Sequence, residues 1–316
     1  MAVTVIILSI GALTYSRLFR RAPIAGPPIQ LGSDRTVNPA AVKLYLDSRY
    51  PFGAIERAGW LSPDLPEAHL ARGIYLWTPF NHFPHQQAVQ EFKLALDQNQ
   101  NLEEAHHYLA VVYLHVGLLD KALGELQKTL AINPSNTPAR FRIGVVLHDQ
   151  GKYEEALSKL KTVPAESNPA TVIPQTVRTL FNLGKRDEAA ALIERSIKNN
   201  FNDEAGQLAS LQAMLLAAAG RHAEAEEKIK QASGQRKGFI HFHHTAYNIA
   251  SAYALMNKPN LAVPWLKSAA EDGYPCYPLF DTDPNLRHIR TDPQFIKFMS
   301  TLKERMGALR CQGDPS

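Results

Sequence analysis

Apolar residues recur every three or four positions along most of this chain, the spacing that gathers them on one face of an α-helix. The pattern is clearest from Leu102 to Pro164, where it occurs twice. The first copy reads Tyr108-Leu109-Ala110, Tyr113 and Gly117, then Ala122, Leu126, Leu130 and Pro134. The second reads Arg142-Ile143-Gly144, Leu147 and Gly151, then Ala156, Leu160 and Pro164. Gly117 and Gly151, Ala122 and Ala156, and Leu126 and Leu160 are each 34 positions apart. A fixed period of this length marks a solenoid of stacked helix pairs.

Followed outward, the pattern predicts further copies. An upstream repeat starts at Glu67, with Leu70, Gly73 and Leu76 on its first helix and Ala88, Phe92 and Ala95 on its second. Between them Thr78 to Pro84 (TPFNHFP) lengthens the turn. A fourth copy spans about Ala170 to Phe201 and a fifth about Gly206 to Ser233. A sixth carries Ile249, Ala250, Tyr253, Asn257, Ala262, Leu266 and Ala269. Residues 38 to about 60 read as a shortened first repeat, opened by Asn38-Pro39, and the Pro- and Gly-rich residues 22–37 as a linker. The array is therefore placed at 38–272. Pro264 sits early in its helix, where a local distortion is expected.

The spacing has a physical reading. The alanines at 88, 122, 156, 189, 225 and 262 let a repeat's second helix approach its neighbour closely. The turn glycines take backbone angles that other residues avoid, and Asn257 replaces them in the last copy. One helix pair cannot bury its own apolar face, so stability comes from stacking. After Ala270 the pattern stops at Gly273-Tyr274-Pro275-Cys276-Tyr277-Pro278, a rigid turn. Asp283-Pro284 and Asp292-Pro293 are two capped helix starts. The last helix has Phe295, Phe298, Leu302 and Met306 on one face, which predicts a C-terminal cap over 273–311.

Charge and composition change this picture only at the ends. Of 316 residues 45% are apolar and 20% charged, the balance of a folded protein. A net charge of +4 gives no basis for nucleic-acid binding. Cys276 and Cys311 are too few for a disulfide framework. The N-terminal segment 1–21 stands apart: Ala2 to Tyr15 is almost free of charge, and Arg17, Arg20 and Arg21 follow it. That order fits a membrane anchor with its arginines inside, and so an array on the cytoplasmic side, with a periplasmic or soluble array as the alternative. The run is short, since ~14 helical residues cover about 21 Å and a bilayer core is ~30 Å thick.

From Glu67 to Ala270 the repeats resemble the tetratricopeptide repeat family. The resemblance implies an all-α fold: a right-handed superhelical solenoid of antiparallel helix pairs with a C-terminal capping helix. It also implies a non-catalytic scaffold with a protein or peptide partner. The family's first-helix Trp is absent. The tail from Tyr247 to about Arg305 is similar to the closing segment of large bacterial repeat proteins, in which the array follows a signalling or regulatory domain. A sensory or regulatory arm of a bacterial signalling system is therefore the alternative reading. In the family, the second, fifth, ninth and twelfth positions of each first helix line a concave groove. Here those positions are Leu70, Ile74, Trp77, His107, Val111, Leu114, Phe141, Val145, His148, Arg178, Phe181, Leu211, Met214 and Tyr247. Most are apolar or aromatic, as a binding patch would be, or as side chains buried between helices would be. The paired Lys and Asn that hold carboxylates in some members are replaced by His107 and Val111 and by Phe141 and Val145, which points to an apolar helix or extended segment as ligand. The chain's own linker, 22–37, is one candidate occupant.

Candidate chemistry adds little. His241, His243 and His244 cluster before the sixth repeat, His106 and His107 are adjacent, and His82 and His85 share the lengthened turn. None has zinc-ligand spacing such as H-E-x-x-H, and adjacent histidines on a helix point about 100° apart. No metal and no cofactor is expected. No phosphate loop, G-x-S-x-G elbow or cysteine nucleophile motif is present, so no catalytic residue is assigned.

Overall fold

The computed structural model describes residues 65–311 apart from 79–80, 204 and 235–241, with side chains as far as 307, together with the backbone of two short strands. The chain divides into two units, residues 1–63 and 64–316. Within the first, β1 (Ile29–Gln30) and β2 (Thr36–Val37) form an antiparallel ladder with Ile29 opposite Val37. The shortened repeat expected at 38–60 lies outside the described residues. So does segment 2–15. The membrane-anchored location expected from that segment is corrected: among the described residues no helix is long and apolar enough to cross a membrane. The physical reason is the one its length announced, a run some 9 Å short of a bilayer core.

The second unit is a series of antiparallel helix pairs. They are α1 (Pro66–Leu76) with α2 (His85–Gln98), α3 (Glu103–His115) with α4 (Leu119–Ile132), and α5 (Thr137–Asp149) with α6 (Tyr153–Leu160). Then come α7 (Pro169–Asn182) with α8 (Arg186–Lys198), α9 (Gln207–Ala218) with α10 (His222–Gly234), and α11 (Phe242–Leu255) with α12 (Pro259–Glu271). Helix α12 runs unbroken through Pro264. The chain ends in α13 (Tyr277–Thr282), a 3₁₀ turn over Pro284–Ile289, and α14 (Pro293–Cys311).

The first pair turns through two left-handed residues, His82 and Phe83, with φ of 56° and 49°, and each of the other five through one. Gly117, Gly151, Gly184, Gly220 and Asn257 have φ of 81°, 77°, 75°, 76° and 55°. The amide that follows donates back to a first-helix carbonyl every time: Leu118 to Tyr113, Lys152 to Leu147, Lys185 to Leu180, Arg221 to Leu216 and Lys258 to Tyr253. This is the Schellman closure, which satisfies carbonyls that a helix end would otherwise strand. All six small second-helix alanines are fully buried, as close helix approach requires.

Gly206 is a different case. Its φ is 67°, and a Cβ added there would stand 2.7 Å from the Ala232 carbonyl oxygen and 2.8 Å from the Ala232 Cα. At Gly220 an added Cβ would meet nothing within 4 Å. Gly220→Ala is expected to cost about 1–2 kcal/mol, the left-handed penalty alone. Gly206→Ala adds a backbone overlap and should cost roughly 2–4 kcal/mol. Urea unfolding of both variants checks the order; equal losses would mean that α9 and α10 can separate freely.

Candidate functional site: the concave face

The first-helix positions that the sequence assigns to the groove do not form an open surface. Leu70, Val111, Leu114, Phe141, Val145, His148, Arg178, Phe181, Leu211, Met214 and Tyr247 are buried, and Ile74, Trp77 and His107 are half-buried. Two different things bury them. Phe181, Leu211 and Met214 belong to an inter-repeat core with Leu157, Val177, Leu180 and Ile249. Others are covered by the C-terminal segment, which lies against the array's inner helices. The Tyr274 hydroxyl donates to Asp149 Oδ2 at 2.6 Å, and the Tyr247 hydroxyl donates to Asp283 Oδ2 at 2.5 Å. Asn285 Nδ2 donates to Asn182 Oδ1 at 2.7 Å, and Phe280 stacks on Tyr247 with centroids 4.9 Å apart. Pro278 rests on the turn at Gly117, where an added Cβ would stand 2.5 Å from its Cδ. Besides covering this face, the segment leads into α14, whose Phe295, Phe298, Met299, Leu302 and Met306 are buried.

At the centre is a polar network in which all but the half-buried Asn182 are buried. Arg178 donates to Asp149 Oδ1 at 3.1 Å, and the guanidinium lies 5.1 Å from the Tyr247 ring centroid. Asp149 Oδ1 also accepts from His148 Nδ1 at 3.0 Å. Asn182 Oδ1 already accepts from Asn285, so its amide nitrogen is the group that faces His148 Nε2, at 3.2 Å. His148 is thus a neutral imidazole with its proton on Nδ1. Its pKa is lowered, by burial first and by Arg178 second. Burial alone would raise the Asp149 carboxyl, but the His148 hydrogen bond and the Arg178 charge outweigh it and hold the group below the ordinary carboxylate range. Burial pushes the Tyr274 and Tyr247 hydroxyls well above their ordinary pKa. These groups brace two parts of the chain against each other. Every polar atom of His148 is engaged, and the side chain has no access to solvent.

A small opening remains beside the network, a cavity of about 40 Å³ lined by Phe141, Val145, Arg178, His244 and Asn248 among others. It has room for ordered water, not for a peptide side chain.

Several histidines are held neutral on this side of the molecule. Burial lowers His85 to about 4, and its Nδ1 accepts from the Trp77 indole N–H at 2.9 Å, a bond that protonation would break. Burial, with Arg142 adding to it, lowers His107 to about 4. Unfolding returns these groups to ordinary values near 6.5. The unfolded chain therefore binds more protons below that pH, and their contribution is complete above pH 6.5 and lost as pH falls toward 4. The thermal midpoint should fall between pH 7 and pH 5, ahead of carboxylate titration, and fall less steeply in His107→Gln. A midpoint flat over that range would show these histidines to be hydrated.

The sequence pattern marks Asp283 only as a helix cap, which its bond from the Asn285 amide bears out, and Tyr274 only as part of a turn; it does not mark Asp149, Asn182 or Asn285. Asp149 and Asn182 share one register, two residues before the turn glycines Gly151 and Gly184, but a polar side chain that each meets lies past the end of the repeats.

Comparison with known families settles what the repeats are. Residues 175–237 match a model described as "Tetratricopeptide repeat", and residues 82–163 match one described as "Anaphase-promoting complex, cyclosome, subunit 3". These are tetratricopeptide repeats. Tetratricopeptide repeat proteins are generally non-catalytic scaffolds for protein interaction. Among curated proteins the chain is 35% identical over 83 residues to DnaJ homolog subfamily C member 3 of Mus musculus, 26% of this chain and 16% of that protein. It is 27% identical over 105 residues to BBSome complex member BBS4 of Bos taurus, 33% of this chain and 20% of that one. The chain thus spans a fifth or less of the length of these curated relatives. Among solved structures, a Rap protein complexed with Competence and Sporulation Factor aligns over 85% of each chain at 15% identity and a TM-score of 0.61. A tetratricopeptide repeat protein from Parabacteroides merdae ATCC 43184 aligns over 79% of this chain and 99% of that one, at 16% identity and a TM-score of 0.52. Both show the same all-helical solenoid fold.

Proposed function

We propose that this chain is a non-catalytic scaffold that docks a segment of a protein partner on its concave face, the partner taking the place of the chain's own residues 274–286. The observation that supports this reading is the segment now in that place. It is held by tyrosine, phenylalanine, aspartate and asparagine side chains. A partner of the same chemistry would be an extended or short helical stretch bearing aromatic residues and an acidic or amide group. Burial of its rings would supply ~25 cal/mol per Å² before ordering costs. Asp149 and Arg178 would fix its register. Nucleic acid has no part in this reading, since the net charge is only +4.

A tethered segment competes at an effective concentration of order millimolar, so a partner meets the wild-type face already occupied. The test is a fluorescent peptide of residues 273–290, titrated into wild type and into a Tyr274→Phe, Asp283→Asn chain. Binding to the double variant should be about tenfold tighter or more, because each lost hydrogen bond loosens the tethered copy. Equal binding to both chains, or binding to neither, counts against the proposal.

A further inference from the structure

Three histidines, one of them far in sequence from an adjacent pair, meet beside the covering segment. His115 ends α3 in the second full-length pair, and His243 and His244 stand in the first turn of α11 in the last one. One ring nitrogen from each lies within 4.8 Å of the others. The ring centroids are 4.4 Å apart for His243 and His244, 5.2 Å for His115 and His243, and 5.7 Å for His115 and His244. His115 and His243 are buried, and His244 is half-buried.

We propose that His115, His243 and His244 bind a divalent transition-metal ion of the zinc class. The hydrogen bonds at the far side of two rings favour it. His115 Nδ1 lies 2.7 Å from the Val111 carbonyl oxygen, and His243 Nδ1 lies 2.9 Å from the Asp272 carbonyl oxygen. A carbonyl can only accept, so both Nδ1 atoms carry protons. In the neutral imidazole this places the lone pair on Nε2 in each ring. Metal-ligating histidines are oriented in the same way, with the second ring nitrogen donating to a carbonyl or carboxylate. The surroundings are those of a shaped, largely buried site. The Tyr274 ring packs 5.4 Å from His115, 5.7 Å from His243 and 5.0 Å from His244, while its hydroxyl is committed to Asp149. Trp77 meets His115 edge-on at 4.8 Å, and Phe83 meets His243 at 6.1 Å.

The ligand set selects the ion. Three imidazoles suit zinc, nickel, copper or cobalt, and the absence of a carboxylate in the set disfavours magnesium and calcium. A tetrahedral ion with Zn–N of ~2.0–2.1 Å holds its nitrogens about 3.3 Å apart, so closure draws the three rings inward by about 1 Å. His244, the half-buried member, has the most freedom to do so. The fourth coordination position then goes to water or an added ligand. Because the ligands come from α3 and α11, the ion would clasp widely separated repeats across the concave face.

The test uses the untagged full chain, stripped with a chelator and dialysed, with zinc chloride followed by calorimetry and cobalt chloride by visible absorption. One ion per chain is expected, with the absorption of a four-coordinate nitrogen site and a rise in the thermal midpoint. His244→Gln and His115→Gln should each weaken binding by more than about 100-fold, beyond what a second-shell change produces. His222→Gln, at an exposed position on α10, should bind as wild type does. Circular dichroism of the His244→Gln chain separates lost binding from lost fold, since that side chain is only half-buried. The absence of saturable one-to-one binding in the wild type overturns the proposal, as does wild-type affinity in both ligand variants.

Discussion

Asp149→Ala lowers the unfolding free energy by about 3–5 kcal/mol, the cost of leaving one member of a buried ion pair alone. The estimate rests on what Asp149 touches. One carboxylate oxygen takes the Arg178 guanidinium and His148 Nδ1, and the other takes the Tyr274 hydroxyl. None of these partners is open to bulk water: His148 and Tyr274 are fully buried and Arg178 is 4% exposed. Coulomb attraction is therefore poorly screened, and the desolvation of Arg178 goes uncompensated once the carboxylate is removed. Replacing the pair together, Asp149→Leu with Arg178→Met, should cost less than the two single changes summed, because no lone charge remains. Urea unfolding measures all three; a single-variant loss below about 1 kcal/mol would place the network at the level of a surface pair. The acid response has the same origin. The folded Asp149 pKa is depressed, so its contribution is present above the unfolded value and disappears as pH falls through the folded one.

Tyr274→Ala ranks beside it, at about 3–5 kcal/mol, the range for deleting a fully buried aromatic ring. Tyr274→Phe keeps the ring and removes only the donor to Asp149, so about 1–3 kcal/mol is expected. The two substitutions separate packing from hydrogen bonding. The ring touches His115, His243, His244, Tyr247 and Phe280, so its loss opens a cavity at the junction of α3, α11 and the C-terminal segment. Amide exchange should then accelerate over residues 277–289 before it does in α4 or α8. Exchange that accelerates evenly along the array would show the segment to be no weaker than the repeats.

One physical difference separates the helices, which local spacing announces, from these residues, which it does not. A repeat advertises itself through local spacing. The buried alanine, the left-handed turn residue and the apolar stripe each satisfy a neighbour one helix away, so they recur with the period and can be read directly. Asn257 is the clearest instance, since its side chain, rather than a glycine, tolerates a φ of 55°. The concave positions were legible as apolar and aromatic, but an apolar stripe does not say what covers it. For Phe181, Leu211 and Met214 the cover is the neighbouring repeats. For Tyr247 it is Phe280, which lies past the end of the periodic pattern. Gly273 to Pro278 was legible as a rigid turn, yet nothing in its composition shows that Tyr274 reaches Asp149. His243 and His244 were visible as neighbours, and their third member was not, because His115 sits several repeats away.

The covering segment also sets the order of events in synthesis. A plain repeat array is nearly one-dimensional, and each unit can settle once its neighbour exists. Here Tyr274 bonds to a residue 125 positions earlier in the chain, and Asn285 to one 103 positions earlier. Contacts of that separation slow folding, since the loop must close before the contact rewards it. On a ribosome adding 5–20 residues per second, Asp149 waits about 6–25 s for Tyr274 to be made. Through that interval the early repeats stand complete in their local pairing with their inner face wet, and that face is what a chaperone would meet first.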